Sequence, residues 1–121
     1  MKGITPVLTV ADVPRSLEWY EKVLGFEQVF VNLHDEGDQA SAFYAVLSAG
    51  SCMLHLGRDT EMEQVAGNSG FEVSTDRFDA VHKAAEEGGA DFYFDITLNP
   101  AGDENFALND PDGNRIIVVR D

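Results

Sequence analysis

Asp12-Val13-Pro14-Arg15-Ser16-Leu17-Glu18-Trp19-Tyr20-Glu21-Lys22-Val23-Leu24-Gly25-Phe26 reads as a helix with both ends marked. Asp12 supplies an N-cap oxygen, Pro14 suits the first turn, and Gly25 ends the run. Leu17, Tyr20, Val23 and Leu24 share one stripe at helical spacing. Trp19 lies off that stripe, placed to cover a rim or a partner subunit. The same pattern returns half a chain later. Asp76 opens a run with Phe78, Val81, Ala84 and Ala85 inward, and Gly88-Gly89 stop it before Ala90-Asp91-Phe92. From Asp to Gly the interval is thirteen residues in both runs. A unit of roughly 60 residues exceeds the solenoid repeats of about 20–50 residues. It points to two related α+β modules sharing a sheet system, with equivalent positions around a common cavity.

Strand patterns flank both helices. Ile4 to Val10 alternates, with Leu8 and Val10 on one face and Thr5, Val7 and Thr9 on the other. Phe26–Leu33, Ala42–Leu47 and Cys52–Leu56 follow, parted by His34-Asp35-Glu36-Gly37-Asp38 and Ala49-Gly50-Ser51. Arg58 to Asn68 is polar and acidic and reads as the linker. Phe71–Ser74 opens the second module, and strands at Asp91–Ile96, Asn105–Leu108 and Arg115–Val119 complete it. Asn99-Pro100-Ala101-Gly102 and Asp110-Pro111-Asp112-Gly113-Asn114 carry turn chemistry. The predicted order is β-α-β-β-β twice, in one domain spanning 1–121 with modules at roughly 1–60 and 68–121.

The chain has 121 residues and a formal net charge of −14, from 8 Lys plus Arg against 22 Asp plus Glu. Such acidity disfavours nucleic acid, whose phosphates require clustered cations. It draws in cationic small molecules, and it equally serves solubility or tolerance of high salt. No segment is long and apolar enough for a membrane helix, and Pro6 interrupts the N-terminus before a signal core forms. The single cysteine, Cys52, precedes Met53-Leu54 and is expected as a buried thiol, which suits a reducing cytoplasm.

Thr5-Pro6-Val7-Leu8-Thr9-Val10-Ala11-Asp12 ahead of a helix ending Val23-Leu24-Gly25-Phe26, together with Phe106-Ala107-Leu108-Asn109-Asp110-Pro111-Asp112-Gly113-Asn114, resembles the vicinal oxygen chelate superfamily over essentially the whole chain. That superfamily includes glyoxalase I, extradiol dioxygenases, fosfomycin-resistance enzymes and bleomycin-resistance proteins. The resemblance implies a curved mixed-sheet cup made by two βαβββ modules. Its enzymes hold a divalent metal there through His and Glu side chains on the first and last strands of each module. Those positions fall here on Thr5, His55, Gly70 or Phe71, and Ile117. One imidazole among a threonine, a glycine or phenylalanine and an isoleucine is a poor donor set for a catalytic metal. Sliding a strand by one residue only turns its side chains to the opposite face.

The nearer resemblance is to the metal-free bleomycin-resistance proteins, which share the Pro-Val-Leu-Thr start and the Phe-Ala-Leu before the terminal turn. It implies an acidic homodimer with exchanged modules that captures a cationic drug in clefts between subunits, without cofactor or chemistry. Phe30, Tyr44 and His55 match positions in or beside that cleft, and Thr5, Phe106 and Ile117 complete the candidate lining. Where those proteins carry a stacking aromatic residue, this chain has Ala101, so another planar or cationic ligand stands beside bleomycin.

Read as residues, His55 between Leu54 and Leu56 faces the cup, either as a ligand contact or as a structural histidine. Tyr44 lies on the cup side with Val46, and its hydroxyl requires a partner, supplied by a ligand or by His55. Of Phe92-Tyr93-Phe94, alternation brings at most one to the cavity. His34 to Asp38 reads as a solvated hairpin tip, because it lacks calcium-loop spacing. His82, beside Lys83, Glu86 and Glu87, is expected at the surface. Two other readings stay open: an enzyme of glyoxalase or dioxygenase type using His55 with an acidic residue such as Glu72, and an interaction module without a small ligand.

Overall fold

The computed structural model describes residues 1–121 and bears out the doubled α+β order. The first module comprises β1 (Val7–Val10), α1 (Val13–Leu24), β2 (Glu27–Leu33), β3 (Ala42–Ala49) and β4 (Cys52–Arg58). A four-residue helix, α2 (Asp59–Met62), follows within the segment expected as a linker. The second module comprises β5 (Gly70–Thr75), α3 (Phe78–Glu87), β6 (Asp91–Leu98), β7 (Glu104–Asn109) and β8 (Arg115–Arg120). Each module makes its own four-stranded mixed sheet, in the orders β1-β4-β3-β2 and β5-β8-β7-β6. No strand of one sheet is hydrogen-bonded to a strand of the other, so the modules share a core and not a ladder.

α1 ends as its sequence dictates. Asp12 Oδ1 accepts from Arg15 N at 3.1 Å, and Gly25 takes φ 72° with its N–H on Glu21 O, which satisfies end groups the helix leaves free. α3 departs from the expected start. Asp76 gives no cap; Thr75 Oγ1 instead accepts from Arg77 N at 3.0 Å, and the helix begins at Phe78. Buried Val13, Leu17, Tyr20 and Val23 of α1, with Phe78 and Ala85 of α3, join Leu8, Val10, Leu47, Leu54, Leu56, Phe106, Leu108, Ile116 and Val118 in one continuous core. Trp19 stands edge-on to Tyr20 at 4.8 Å between ring centroids and packs at the margin of this core.

The Asp-Pro-Asp-Gly-Asn turn is more than a turn. Tyr20 Oη donates to Asp110 Oδ2 at 2.8 Å across the two modules. The same carboxylate accepts from Asn114 Nδ2 at 2.9 Å, from Asn114 N at 2.8 Å and from Asp112 N at 2.9 Å. Asn114 Nδ2 also reaches Thr9 O at 3.1 Å, and Arg15 Nη2 meets Asp112 Oδ1 at 3.0 Å. Burial, then the neighbouring Asp110 carboxylate and its hydrogen bond, hold the Tyr20 phenol well above its ordinary pKa, so it stays a donor. Gly67 completes the clasp. Its N–H reaches Thr9 O, its φ is 88°, and a Cβ there would lie 2.0 Å from the Asp112 carbonyl oxygen.

Four side chains sit otherwise than their sequence context suggests. Cys52 is exposed at the start of β4, beside the Gly50-Ser51 turn, so the apolar neighbours Met53-Leu54 do not carry it inward. His82 is largely buried, its ring against Phe92 and Phe106, because β6 brings Asp95 within 2.7 Å of its Nε2. β1 starts at Val7, which leaves Ile4 and Thr5 exposed ahead of the strand.

Candidate functional site

Alternation divides each sheet into a face against the helices and an open face. On the first sheet Leu8, Leu56, Ala45 and Val31 turn toward the core. On the opposite face the register sets Val7, His55, Val46 and Phe30 side by side in a row across β1, β4, β3 and β2. Phe30 is 56 % exposed and Val7 42 %, so the row presents apolar and aromatic surface around one imidazole. Tyr44 occupies the next row, with Thr9, Gly57 and Asn32. Its hydroxyl lies 2.7 Å from His55 Nδ1, and the two rings stand edge-on. Burial raises the Tyr44 phenol above its ordinary pKa, so it keeps its proton and can donate to Nδ1. The Tyr44 hydroxyl on Nδ1 fixes the imidazole within the row.

Tyr44, His55 and Phe30 thus come together as one patch. Thr5 does not join it, lying two residues ahead of Val7, which is level with His55. The connector walls one end of the patch. Met62 of α2 packs over Gly57 so closely that a Cβ on Gly57 would meet its Sδ at 2.6 Å, and Thr9 Oγ1 donates to Gln64 Oε1 at 2.8 Å.

The second sheet repeats the arrangement with other residues. Glu72, Ile117, Ala107 and Phe94 form the row equivalent to Val7-His55-Val46-Phe30. Ile117 therefore lies on the open face, half-buried. Phe106 does not. It is fully buried, packed on Phe78, His82 and Phe92, because its even position on β7 points beneath α3. Phe71 likewise faces the core, and the β5 residue level with Ile117 is Glu72. A bulge between Phe92 and Phe94 changes the count of aromatic residues as well. Phe94 pairs with Ala107, while Tyr93 lies beneath the Arg115 guanidinium at 3.4 Å, so two of the three aromatics reach this side.

Across the two equivalent rows the nitrogen and oxygen donors are His55 and Glu72, one on each sheet. No three His, Cys, Asp or Glu side chains gather where they could hold a metal ion. Within one chain these two donors fall short of the three protein ligands a catalytic metal centre uses. A separate cleft of about 830 Å3 opens on the helix side, between the end of α1, the β3–β4 turn and the start of α3, and none of the six candidate residues lines it. Alternation alone sets Val7 with Thr5 and Val46 with Tyr44, and Phe94 stands among the three β6 aromatics, whereas nothing local in the sequence flags Met62.

A family profile described as the glyoxalase/bleomycin resistance protein/dioxygenase superfamily matches residues 4–118. Among solved structures, the chain is 29 % identical to the bleomycin-binding protein of bleomycin-producing Streptomyces verticillus, complexed with copper(II)-bleomycin. That match has a TM-score of 0.74 and covers 100 % of this chain and 97 % of the other. TioX from Micromonospora sp. ML1 is 20 % identical at a TM-score of 0.82, covering 99 % and 98 %. Lactoylglutathione lyase from Agrobacterium tumefaciens is 19 % identical at 0.77, covering 99 % and 94 %. The last two share the fold. No curated protein matches this sequence. No helix is long and apolar enough to cross a membrane.

Proposed function

The chain belongs to the glyoxalase/bleomycin resistance protein/dioxygenase superfamily, and from that premise we propose that it binds and sequesters a small aromatic or cationic molecule without a metal. The observation that carries this reading is the row Val7-His55-Val46-Phe30, an apolar and aromatic strip with one oriented imidazole. Such a surface suits a flat ring, which gains area burial on Phe30 and Val46 and one directional hydrogen bond at His55. The charge of −14 favours encounter with a cation. The likeness to a bleomycin-binding protein, at 29 % identity over the whole chain, supports an antibiotic as guest. In this proposal the protein is a cytoplasmic homodimer, the second copy covering the open sheet faces, and Phe30, Tyr44, His55 and Ile117 touch the ligand.

Titration calorimetry with metal-free bleomycin, copper(II)-bleomycin and a mitomycin, alongside thermal melting, tests it. Heat of binding and a raised Tm with at least one compound are expected. No heat and an unmoved Tm across the panel would refute sequestration. Glu72, level with Ile117 in the second sheet, favours one alternative, a glyoxalase-like lyase or isomerase, or a dioxygenase, whose His55 and Glu72 come together in a dimer. Elemental analysis of the purified protein separates the two: stoichiometric zinc, nickel, manganese or iron promotes the enzyme.

A further inference from the structure

One polar group on the second sheet is left without a partner by the fold. Asn105 is 7 % exposed, and its side-chain oxygen is buried and accepts no hydrogen bond. It pairs across the ladder with Val119 of β8 and Thr97 of β6, and it sits two residues before Ala107. Asn105 therefore shares the open face with Ile117, Ala107 and Phe94, while Phe106 between them points to the core. A buried amide oxygen without a donor is costly, and proteins rarely keep one without use for it. Asn109, on the same strand and face, shows the contrast, since its Nδ2 donates to Asp91 Oδ2 at 3.1 Å.

We propose that Asn105 is the ligand-reading residue of the second sheet's open face, selecting guests that carry an amide or a similar donor–acceptor edge attached to a flat ring. The inference rests on the binding reading above and adds the chemistry of the guest. An asparagine side chain offers one acceptor and a pair of donors, so it matches an amide edge whichever way its own amide is turned. Rows on one face of a strand lie about 7 Å apart. A ring seated on Ile117 and Phe94, which flank the buried Ala107, places a directly attached amide over Asn105 across that spacing, and a turn of the Asn105 side chain toward the open face brings its oxygen to the donor. The donor it brings is the one the fold withholds.

Two fragments test the assignment, benzamide and N,N-dimethylbenzamide, which lacks the N–H donor. Titrations followed by NMR of 15N-labelled protein read both the backbone of β7 and β8 and the Asn105 side-chain amide. Benzamide is expected to shift the Asn105 amide and to bind about fivefold to tenfold more tightly than its dimethyl analogue, the worth of one neutral hydrogen bond. Asn105→Leu and Asn105→Ala should each collapse that ratio to about one, and Asn109→Ala should preserve it. A ratio that survives both Asn105 variants while Ile117, Ala107 and Phe94 still shift would overturn the assignment and leave the binding face standing. Fragments that shift none of these residues in the wild type would remove the assignment and count against this face as a ligand site, whereas binding at the first sheet would still be read by calorimetry.

Discussion

Replacing Tyr20 with phenylalanine removes one oxygen from the clasp between modules and nothing else. The ring stays packed edge-on between Trp19 and Phe26, while the 2.8 Å bond to Asp110 is lost. A hydrogen bond to a charged acceptor contributes about 1.5–3 kcal/mol. Asp110 keeps three other donors, from Asn114 Nδ2, Asn114 N and Asp112 N, so its charge is not abandoned. That places Tyr20→Phe at the lower end, about 2 kcal/mol. For 121 residues, an unfolding entropy of about 2.1 cal/mol/K per residue converts each kcal/mol into about 4 °C, so Tm should fall by roughly 8 °C. Asp110→Ala strands the phenol and two backbone N–H groups together and should cost at least about 3 kcal/mol. The assay is thermal and urea unfolding by circular dichroism at pH 7, on the two single variants and the double. Coupling predicts that Tyr20→Phe costs almost nothing once Asp110 is gone. A Tyr20→Phe loss under about 0.5 kcal/mol, or full additivity in the double variant, would refute the clasp as a holding interaction.

Phe106→Ala should cost about 3–5 kcal/mol in urea unfolding, as for a core aromatic, whereas Phe30→Ala should stay within about 0.5 kcal/mol and weaken any ligand that calorimetry finds on the first sheet. Gly67→Ala forces a Cβ against the Asp112 carbonyl at positive φ and should lower stability by more than about 2 kcal/mol, read by the same melts. Cys52, being exposed, should react with one equivalent of a thiol reagent in the native protein, without denaturant. Burial raises the Asp112 carboxyl above its usual 3.8, so the folded state holds that proton longer than the unfolded chain. The stability tied to it is full below 3.8 and is lost as pH rises through the raised value. Asp112→Asn should therefore gain on wild type in Tm between pH 4 and pH 7.

The doubled helix frame was legible because its signals are local. Asp12, Pro14 and Gly25 act within a turn of where they stand, and the apolar stripe of α1 needs no partner to be seen. Asp76 misled for the same reason: two candidate oxygens stand side by side, and only the backbone decides that Thr75 makes the bond. The site was half legible. His55, Tyr44 and Phe30 were placed by alternation and resemblance together. Phe106 was misplaced because resemblance reports that a residue matters, while its side of β7 depends on a register that the sequence does not print. Glu72 against Phe71 is a one-residue question of the same kind, settled by pairing with β8. Asn105 carried no signal of its own, since an asparagine in a strand looks like any edge polar residue until its lack of a donor is seen.

Met62 over Gly57 and Gln64 on Thr9 give the tether between the modules a second duty. Strands lay the floor of the first recess, yet its end wall hangs from residues outside both sheets. The depth of that recess can be changed by recomposing 59–64, ahead of Gly67 and its clasp, with the shared hydrophobic core undisturbed.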